Sequence, residues 1–248
     1  MIQITKANDL LAAVSKAKEQ SLSIGLVPTM GALHEGHLSL IGRALQENDM
    51  VVVSLFVNPI QFNNKEDLEK YPRTLEADLE LIKDEESRIK NQNTDRLIAF
   101  APTVEEMYPE GQPTEVYHFG PVEEVMEGPR RPGHFSGVAV VVRRLFDLSQ
   151  PTRAYFGEKD YQQLAIIHFM AERSELAGTF GSLQIIGCPI VREASGLALS
   201  SRNERLSAEE KQTALGISRT LFASLEWAKE PGATIAGEIG RASCRERV

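Results

Sequence analysis

The sequence predicts an α/β protein built on a doubly wound parallel sheet, followed by a smaller C-terminal domain. Three observations carry that prediction. Short apolar runs at Leu22–Val27, Met50–Val57, Leu97–Phe100, Arg153–Phe156 and Leu183–Gly187 alternate with helical segments, as in successive β-α-β units. The run Met50–Val57 (M-V-V-V-S-L-F-V) is apolar at nearly every position, as a strand covered on both faces must be. Twice a strand passes through a glycine-containing turn straight into a helix, at Pro28–His37 and at Gly157–Asp160. The N–H groups of a helix N-terminus favour an anion.

The elements follow in order. Asn8–Gln20 carries Leu10, Leu11, Val14 and Ala17 on one side and reads as an amphipathic helix. The strand Leu22–Val27, the turn, and a helix over Leu38–Glu47 with Leu38, Ile41 and Leu45 in register precede the buried strand Met50–Val57. Asn58-Pro59-Ile60-Gln61-Phe62 and Tyr71-Pro72-Arg73-Thr74 come after it, where ligands lie in open α/β sheets. Leu75–Ile89 is a charged helix, and Lys90–Arg96 is a polar, turn-rich loop. Gly137–Leu148 fits both helical and strand spacing, and its length favours a helix. Asp160 is placed to cap a helix over Tyr161–Arg173. The domain boundary is expected near Cys188, giving domains 1–187 and 188–248. Beyond it come a loop over Val191–Asn203, a Ser207/Glu210 capping box and a helix to about Lys229, ended by Pro231-Gly232. Glu175–Ser182 reads as a surface loop, and Arg241–Val248 shows no periodicity and looks foreign to the rest.

Composition bounds the function. The 248-residue chain is 42% hydrophobic and 25% charged, ordinary for a globular protein with a proper core. Its formal net charge of −8 argues against a general binder of nucleic acid or membrane surfaces, but allows a local basic pocket. No apolar run reaches membrane-span length and the N-terminus lacks a signal-peptide pattern, so a cytoplasmic enzyme is expected. Cys188 and Cys244 form neither a disulfide framework nor a metal pattern.

The stretch Pro28–His37 (P-T-M-G-A-L-H-E-G-H) holds the densest chemistry. Gly31 permits a tight turn, Gly36 opens the helix without a side chain, and His34 and His37 share a face if the first turn is helical. That is a phosphate site, although residue types alone allow a surface polar pair equally well. Zinc fits poorly, because H-E-G-H is one residue short of H-E-x-x-H and no third ligand lies nearby. A P-loop is excluded by the absence of G-x-x-x-x-G-K-[ST].

H-x-G-H after a first strand resembles the nucleotidyltransferase signature shared with class I aminoacyl-tRNA synthetases. The longer string resembles the pantothenate synthetase (pantoate–β-alanine ligase) family. So do F-V-N-P-I-Q-F, Y-P-R-T, R-P-G-H-F-S-G-V, F-G-E-K-D-Y-Q-Q-L and G-L-A-L-S-S-R-N, which follow in order across nearly the whole chain. The resemblance implies a Rossmann-like domain of the HIGH-type nucleotidyltransferases with a C-terminal lid. It implies ATP-dependent joining of pantoate to β-alanine through a pantoyl-adenylate, with Mg²⁺, in a homodimer that takes no nucleic acid and no membrane as partner. His34, His37, Lys159, Ser200, Ser201 and Arg202 match the catalytic positions. Pro28, Thr29, Met30, Gly31, Gly157, Asp160, Val191 and Leu199 complete the ATP side. Met30, Asn58, Gln61, Phe62, Tyr71 and Gln163 line the pantoate side, where either glutamine can donate and accept. Asp78 is a candidate for holding Mg²⁺, against the reading of a solvent-facing helical carboxylate. His134 lies in a family motif without an assigned step, and His118 and His168 are expected to be structural or on the surface. The family's second domain continues past its first helix with closing strands, so the lid is expected to be truncated here. Two other readings share these residues: another adenylyl-transferring member of the superfamily, and a nucleotide-binding module without turnover.

Overall fold

The computed structural model describes residues 1–89, 96–173 and 182–234. The expected loops at Lys90–Arg96 and Glu175–Ser182 lie almost wholly outside the described residues, and Arg241–Val248 lies outside them entirely. The chain divides into two compact units, Met1–Ile190 and a second beginning at Val191.

The first unit contains a six-stranded, all-parallel sheet: β1 (Ile2–Ile4), β2 (Ile24–Thr29), β3 (Met50–Leu55), β4 (Leu97–Phe100), β5 (Arg153–Gly157) and β6 (Gln184–Cys188). The spatial order is β1-β4-β3-β2-β5-β6. The helices are α1 (Ala7–Glu19), α2 (Glu35–Glu47), α3 (Lys65–Glu69), α4 (Leu75–Arg88), α5 (Val104–Met107), α6 (His134–Ser149) and α7 (Tyr161–Glu172).

Side chains alternate across a strand, so each strand feeds two cores. Leu26, Met50, Val52, Ile98, Phe100, Ala154 and Phe156 pack with Leu10, Phe146 and Ile166 of α1, α6 and α7. Val27, Val51, Val53, Leu97, Ala99 and Tyr155 pack with Leu38, Ile41 and Ile82 of α2 and α4. The doubly wound prediction holds, because only helices on both faces can cover strands that are apolar at every position.

Differences from the sequence reading have local causes. β1 has three residues and only Ile4 buried, so it carries no apolar run to read, yet it completes the sheet edge beside β4. α2 starts three residues earlier than expected, inside the histidine motif. α6 also starts earlier, directly after Gly133, whose φ of 77° is a left-handed conformation that suits glycine. Asp160 stands at the N-cap of α7, but its side chain makes no capping bond.

α6 lies against the short 3₁₀ turn Pro59–Gln61. Gly137 makes that approach possible, since a Cβ there would sit 2.9 Å from Cα and N of Gln61 and from the Ile60 carbonyl oxygen. Those are backbone atoms and cannot turn aside. Gly137→Ala is therefore expected to lower the unfolding free energy by about 1–3 kcal/mol, as overpacking does. Urea denaturation of the two proteins measures it, and an unchanged midpoint would contradict the packing described.

In the second unit, residues 191–199 fold back on themselves. Arg192 bridges Ala198, and the Leu199 N–H donates to the Val191 carbonyl at 3.1 Å. The expected Ser207/Glu210 capping box is present, opening a helix over Ala208–Trp227.

Candidate active site

β2 lies between β3 and β5, and from it the chain runs outward to one side and then to the other. That reversal is the switch point where open α/β sheets bind ligands, beyond the carboxyl ends of the strands. The loops after β2 and β5 both leave from it.

After β2 the chain turns through Gly31 (φ 76°) and Ala32 (φ 49°). Ala32 is a non-glycine residue in the left-handed region, a conformation that costs on the order of 1–3 kcal/mol unless its surroundings hold it. Asp78 of α4 holds it. Its Oδ2 accepts from the Ala32 N–H at 2.9 Å, and its Oδ1 accepts from the Leu33 N–H at 2.7 Å and from the Thr74 hydroxyl at 3.3 Å. The side chain is not solvent-facing, since Asp78 is only 2% exposed. Asp78, the Mg²⁺ candidate of the sequence, thus has both carboxylate oxygens bonded to the turn and to Thr74. Among the described residues no group of three or more His, Cys, Asp or Glu could hold a metal ion. Thr29 also serves the turn, its buried hydroxyl donating to the Ser54 carbonyl at 2.6 Å and accepting from the Gly31 N–H at 3.2 Å.

The turn delivers His34 to the N-cap of α2 and His37 to the third helical position. The two form a reciprocal cap. The Gly36 N–H donates to His34 Nδ1 at 3.2 Å, and the His34 N–H donates to His37 Nδ1 at 3.3 Å. The rings stack with centroids 4.0 Å apart. A ring nitrogen that accepts from a backbone N–H carries no proton, so each imidazole keeps its proton on Nε2. Burial pulls His37 down to about 3, with the neighbouring His34 and then Lys159 adding to the shift. Burial, followed by the Lys159 charge, also lowers His34. Both rings are thus neutral at neutral pH, and each has an Nε2–H to donate.

Lys159 follows β5 and stands close enough to weigh on both imidazoles, with its Nζ 3.5 Å from the Asp160 carboxylate. The two corners predicted from sequence therefore meet at His34, His37, Lys159 and Asp160. Gly157 ends β5 there, with open space where a Cβ would stand.

Beyond β3 the loop carries Asn58, Gln61 and Phe62. Asn58 was expected to line the pantoate side, but it is fully buried with all four of its hydrogen-bonding positions occupied. Gln61 is half-buried, and its Nε2 donates to Met30 Sδ at 3.2 Å, joining this loop to the β2 turn. Phe62 meets the buried Tyr71 edge-on at 5.7 Å. Arg73 donates to the carbonyls of Leu68 and Tyr71, so Y-P-R-T is largely a structural string. His134, left without a role by sequence, has its Nδ1 2.8 Å from the Gln61 carbonyl oxygen. Burial keeps its ring neutral, so Nδ1 carries the proton and donates.

In α7, Gln163 is half-buried. Its neighbour Gln162, which sequence did not single out, is buried and clamps a loop by accepting from the Glu127 N–H and donating to the Val122 and Val125 carbonyls. In the second unit, the Ser200 hydroxyl accepts from the Arg202 N–H at 3.3 Å and opens the short 3₁₀ turn Ser201–Arg205.

A parallel α/β domain with a neutral histidine pair and a lysine at its switch point belongs to the class of nucleotide-handling H-x-G-H proteins. More specifically, the chain belongs to the pantoate-β-alanine ligase family, whose profile matches residues 2–246. A protein of Bacteroides thetaiotaomicron named pantothenate synthetase is 54% identical over 220 residues, covering 89% of this chain and 73% of that one. The crystal structure of pantothenate synthetase from Thermus thermophilus superposes with a TM-score of 0.83 at 46% identity, covering 96% of this chain and 79% of that one. The pantoate-β-alanine ligase of Francisella tularensis, described as complexed with β-γ ATP and β-alanine, gives 0.80 at 34% identity, covering 98% and 85%.

The histidine pair links folding to pH. With His37 held near 3 in the folded chain and near 6.5 in the unfolded one, the unfolded state binds more protons between those values. Stability at this site is then full above the upper value and falls as pH drops through the window. His37→Gln keeps a side chain suited to the third position of a capping box but does not titrate. The stability advantage of the wild type over this variant should shrink on going from about pH 7 to about pH 4, by at most about 1.4 kcal/mol per pH unit. Urea unfolding across that range measures it, and a constant difference would contradict the neutral ring.

Proposed function

We propose that this protein joins pantoate to β-alanine at the expense of ATP. In the first step a pantoate carboxylate oxygen attacks the α-phosphorus of ATP and pyrophosphate leaves. In the second, the β-alanine amine attacks the acyl carbon of the pantoyl-adenylate, AMP leaves with the carboxylate oxygen, and the amide forms. The substrate carboxylate is the nucleophile, so no Ser-His-Asp or Cys-His arrangement is needed. Catalysis rests on orientation and on stabilising charge that develops on the phosphates.

The observation that carries this reading is the pair of Nε2–H donors at the N-terminus of α2, beside Lys159. Neutral donors and a helix N-terminus suit phosphate oxygens, and the formal positive charge comes from Lys159. Gly157 and Asp160 are assigned to the ribose, and Pro28, Thr29, Met30 and Gly31 to the edge of the nucleotide site. Gln61 and Gln163 are assigned to pantoate oxygens, with Met30 and Phe62 against its methyl groups and Tyr71 bracing Phe62. By the family resemblance, Val191, Leu199, Ser200, Ser201 and Arg202 are assigned to the nucleotide. Mg²⁺ accompanying ATP commonly keeps water and phosphate ligands, so it needs no protein cage. The resemblance also carries the expectation of a homodimer in the cytoplasm.

Pantoate-dependent exchange of pyrophosphate into ATP tests the first step. His34→Ala and His37→Ala should each slow exchange on the order of a hundredfold or more, with a smaller effect on ATP affinity. Near-normal exchange in both variants would overturn the assignment. Release of AMP should require β-alanine and match the pantothenate formed. AMP retained on the product would instead indicate a nucleotidyltransferase.

A further inference from the structure

Asn58 and Tyr108 form a buried chain that ends on Gln61. The Tyr108 hydroxyl donates to Asn58 Oδ1 at 3.0 Å, and the Ile60 N–H donates to the same oxygen at 3.3 Å. Asn58 Nδ2 donates to the Gly137 carbonyl at 3.1 Å and to Gln61 Oε1 at 3.2 Å. Two of these four partners are backbone groups whose polarity cannot reverse: an N–H on the oxygen side and a C=O on the nitrogen side. The Asn58 amide therefore has one orientation. A flipped Gln61 would set its NH₂ against the NH₂ of Asn58, so its Oε1 must face inward.

From this geometry we infer that Tyr108 and Asn58 are positioning residues that hold Gln61 with its NH₂ toward the crevice, as an obligate hydrogen-bond donor. The inference rests on the proposal that Gln61 faces pantoate, and it specifies that contact: the substrate atom opposite Gln61 is an acceptor oxygen, carboxylate or hydroxyl. Among the described residues the NH₂ donates to Met30 Sδ, a weak acceptor. A substrate oxygen replaces a poor partner with a good one. The turn itself is held from two further sides, by His134 on the Gln61 carbonyl and by the close approach of Gly137. Tyr108 is buried, at 5% exposure, so its hydroxyl acts on substrate only through Asn58.

Calorimetric titration of pantoate and ATP into the wild type, Tyr108→Phe, Gln61→Ala and the double variant tests the chain of contacts. Gln61→Ala should weaken pantoate about tenfold or more, and Tyr108→Phe about three- to tenfold, the loss typical of one hydrogen bond. Neither should change ATP affinity, a selectivity that general loosening would not give. The double variant should be no weaker for pantoate than Gln61→Ala alone, because both changes act through one contact. If Gln61→Ala leaves pantoate binding intact, the placement of pantoate is wrong. If Gln61→Ala weakens pantoate but Tyr108→Phe does not, or if the two effects multiply, the positioning role is wrong. In the wild type, independently of any variant, the Gln61 side-chain NH₂ should be as rigid on the nanosecond timescale as the backbone around it. A freely reorienting amide by NMR relaxation would overturn the inference.

Discussion

The rest of the site depends on one buried carboxylate. Asp78 accepts from two successive amides in the turn after β2, and so fixes a backbone that includes a left-handed alanine. A buried charge is tolerable only when it is fully hydrogen-bonded, and this one is bonded by the groups it must hold. With Gly31 and Ala32 fixed, His34 arrives at the N-cap of α2, and the reciprocal cap with His37 follows. The fixed backbone amides choose which ring nitrogen carries the proton, and burial keeps both rings uncharged. Sequence motif, helix start and protonation state are thus one mechanical consequence.

A second constraint joins two strings far apart in the chain. N-P-I-Q-F forms a 3₁₀ turn whose inner side is filled by the start of α6, and R-P-G-H-F-S-G-V supplies that start. His134 donates to the turn, and Gly137 gives the space to approach and a carbonyl for Asn58 to donate to. The motif thus braces the turn from the side of α6. It holds the backbone of the half-buried Gln61.

Much of this was legible in the sequence because its causes are local. Apolar runs such as Met50–Val57 report burial on both faces, and glycine turns entering helices report anion-facing corners. The positions of His34, His37 and Lys159 followed from those signals and from the family resemblance. Asp78 could not be read the same way. It sits in a charged helix, and only the packing of α4 beside α2 brings its carboxylate to amides more than forty positions earlier in the chain. Asn58 looked like a ligand-facing polar residue because its motif is polar, whereas its partners come from Tyr108 and Gly137, far along the chain. Tyr108, in a stretch of Pro and Gly, gave no periodic or motif signal at all. Long-range hydrogen bonds decide polar roles, and a single sequence does not display them.

The state of the two imidazoles is the most direct point of measurement. Nitrogen-15 NMR of the histidine side chains distinguishes a protonated Nε2 from a protonated Nδ1 and reports titration. His34 and His37 should both show an unprotonated Nδ1 and a protonated Nε2 at about pH 8, and each should take up its second proton at lower pH than a free imidazole. The His37 ring should stay neutral down to about pH 4, since its value lies near 3. A protonated Nδ1 on either ring, or titration of His37 near the ordinary value of about 6.5, would contradict the fixed-turn origin of the site.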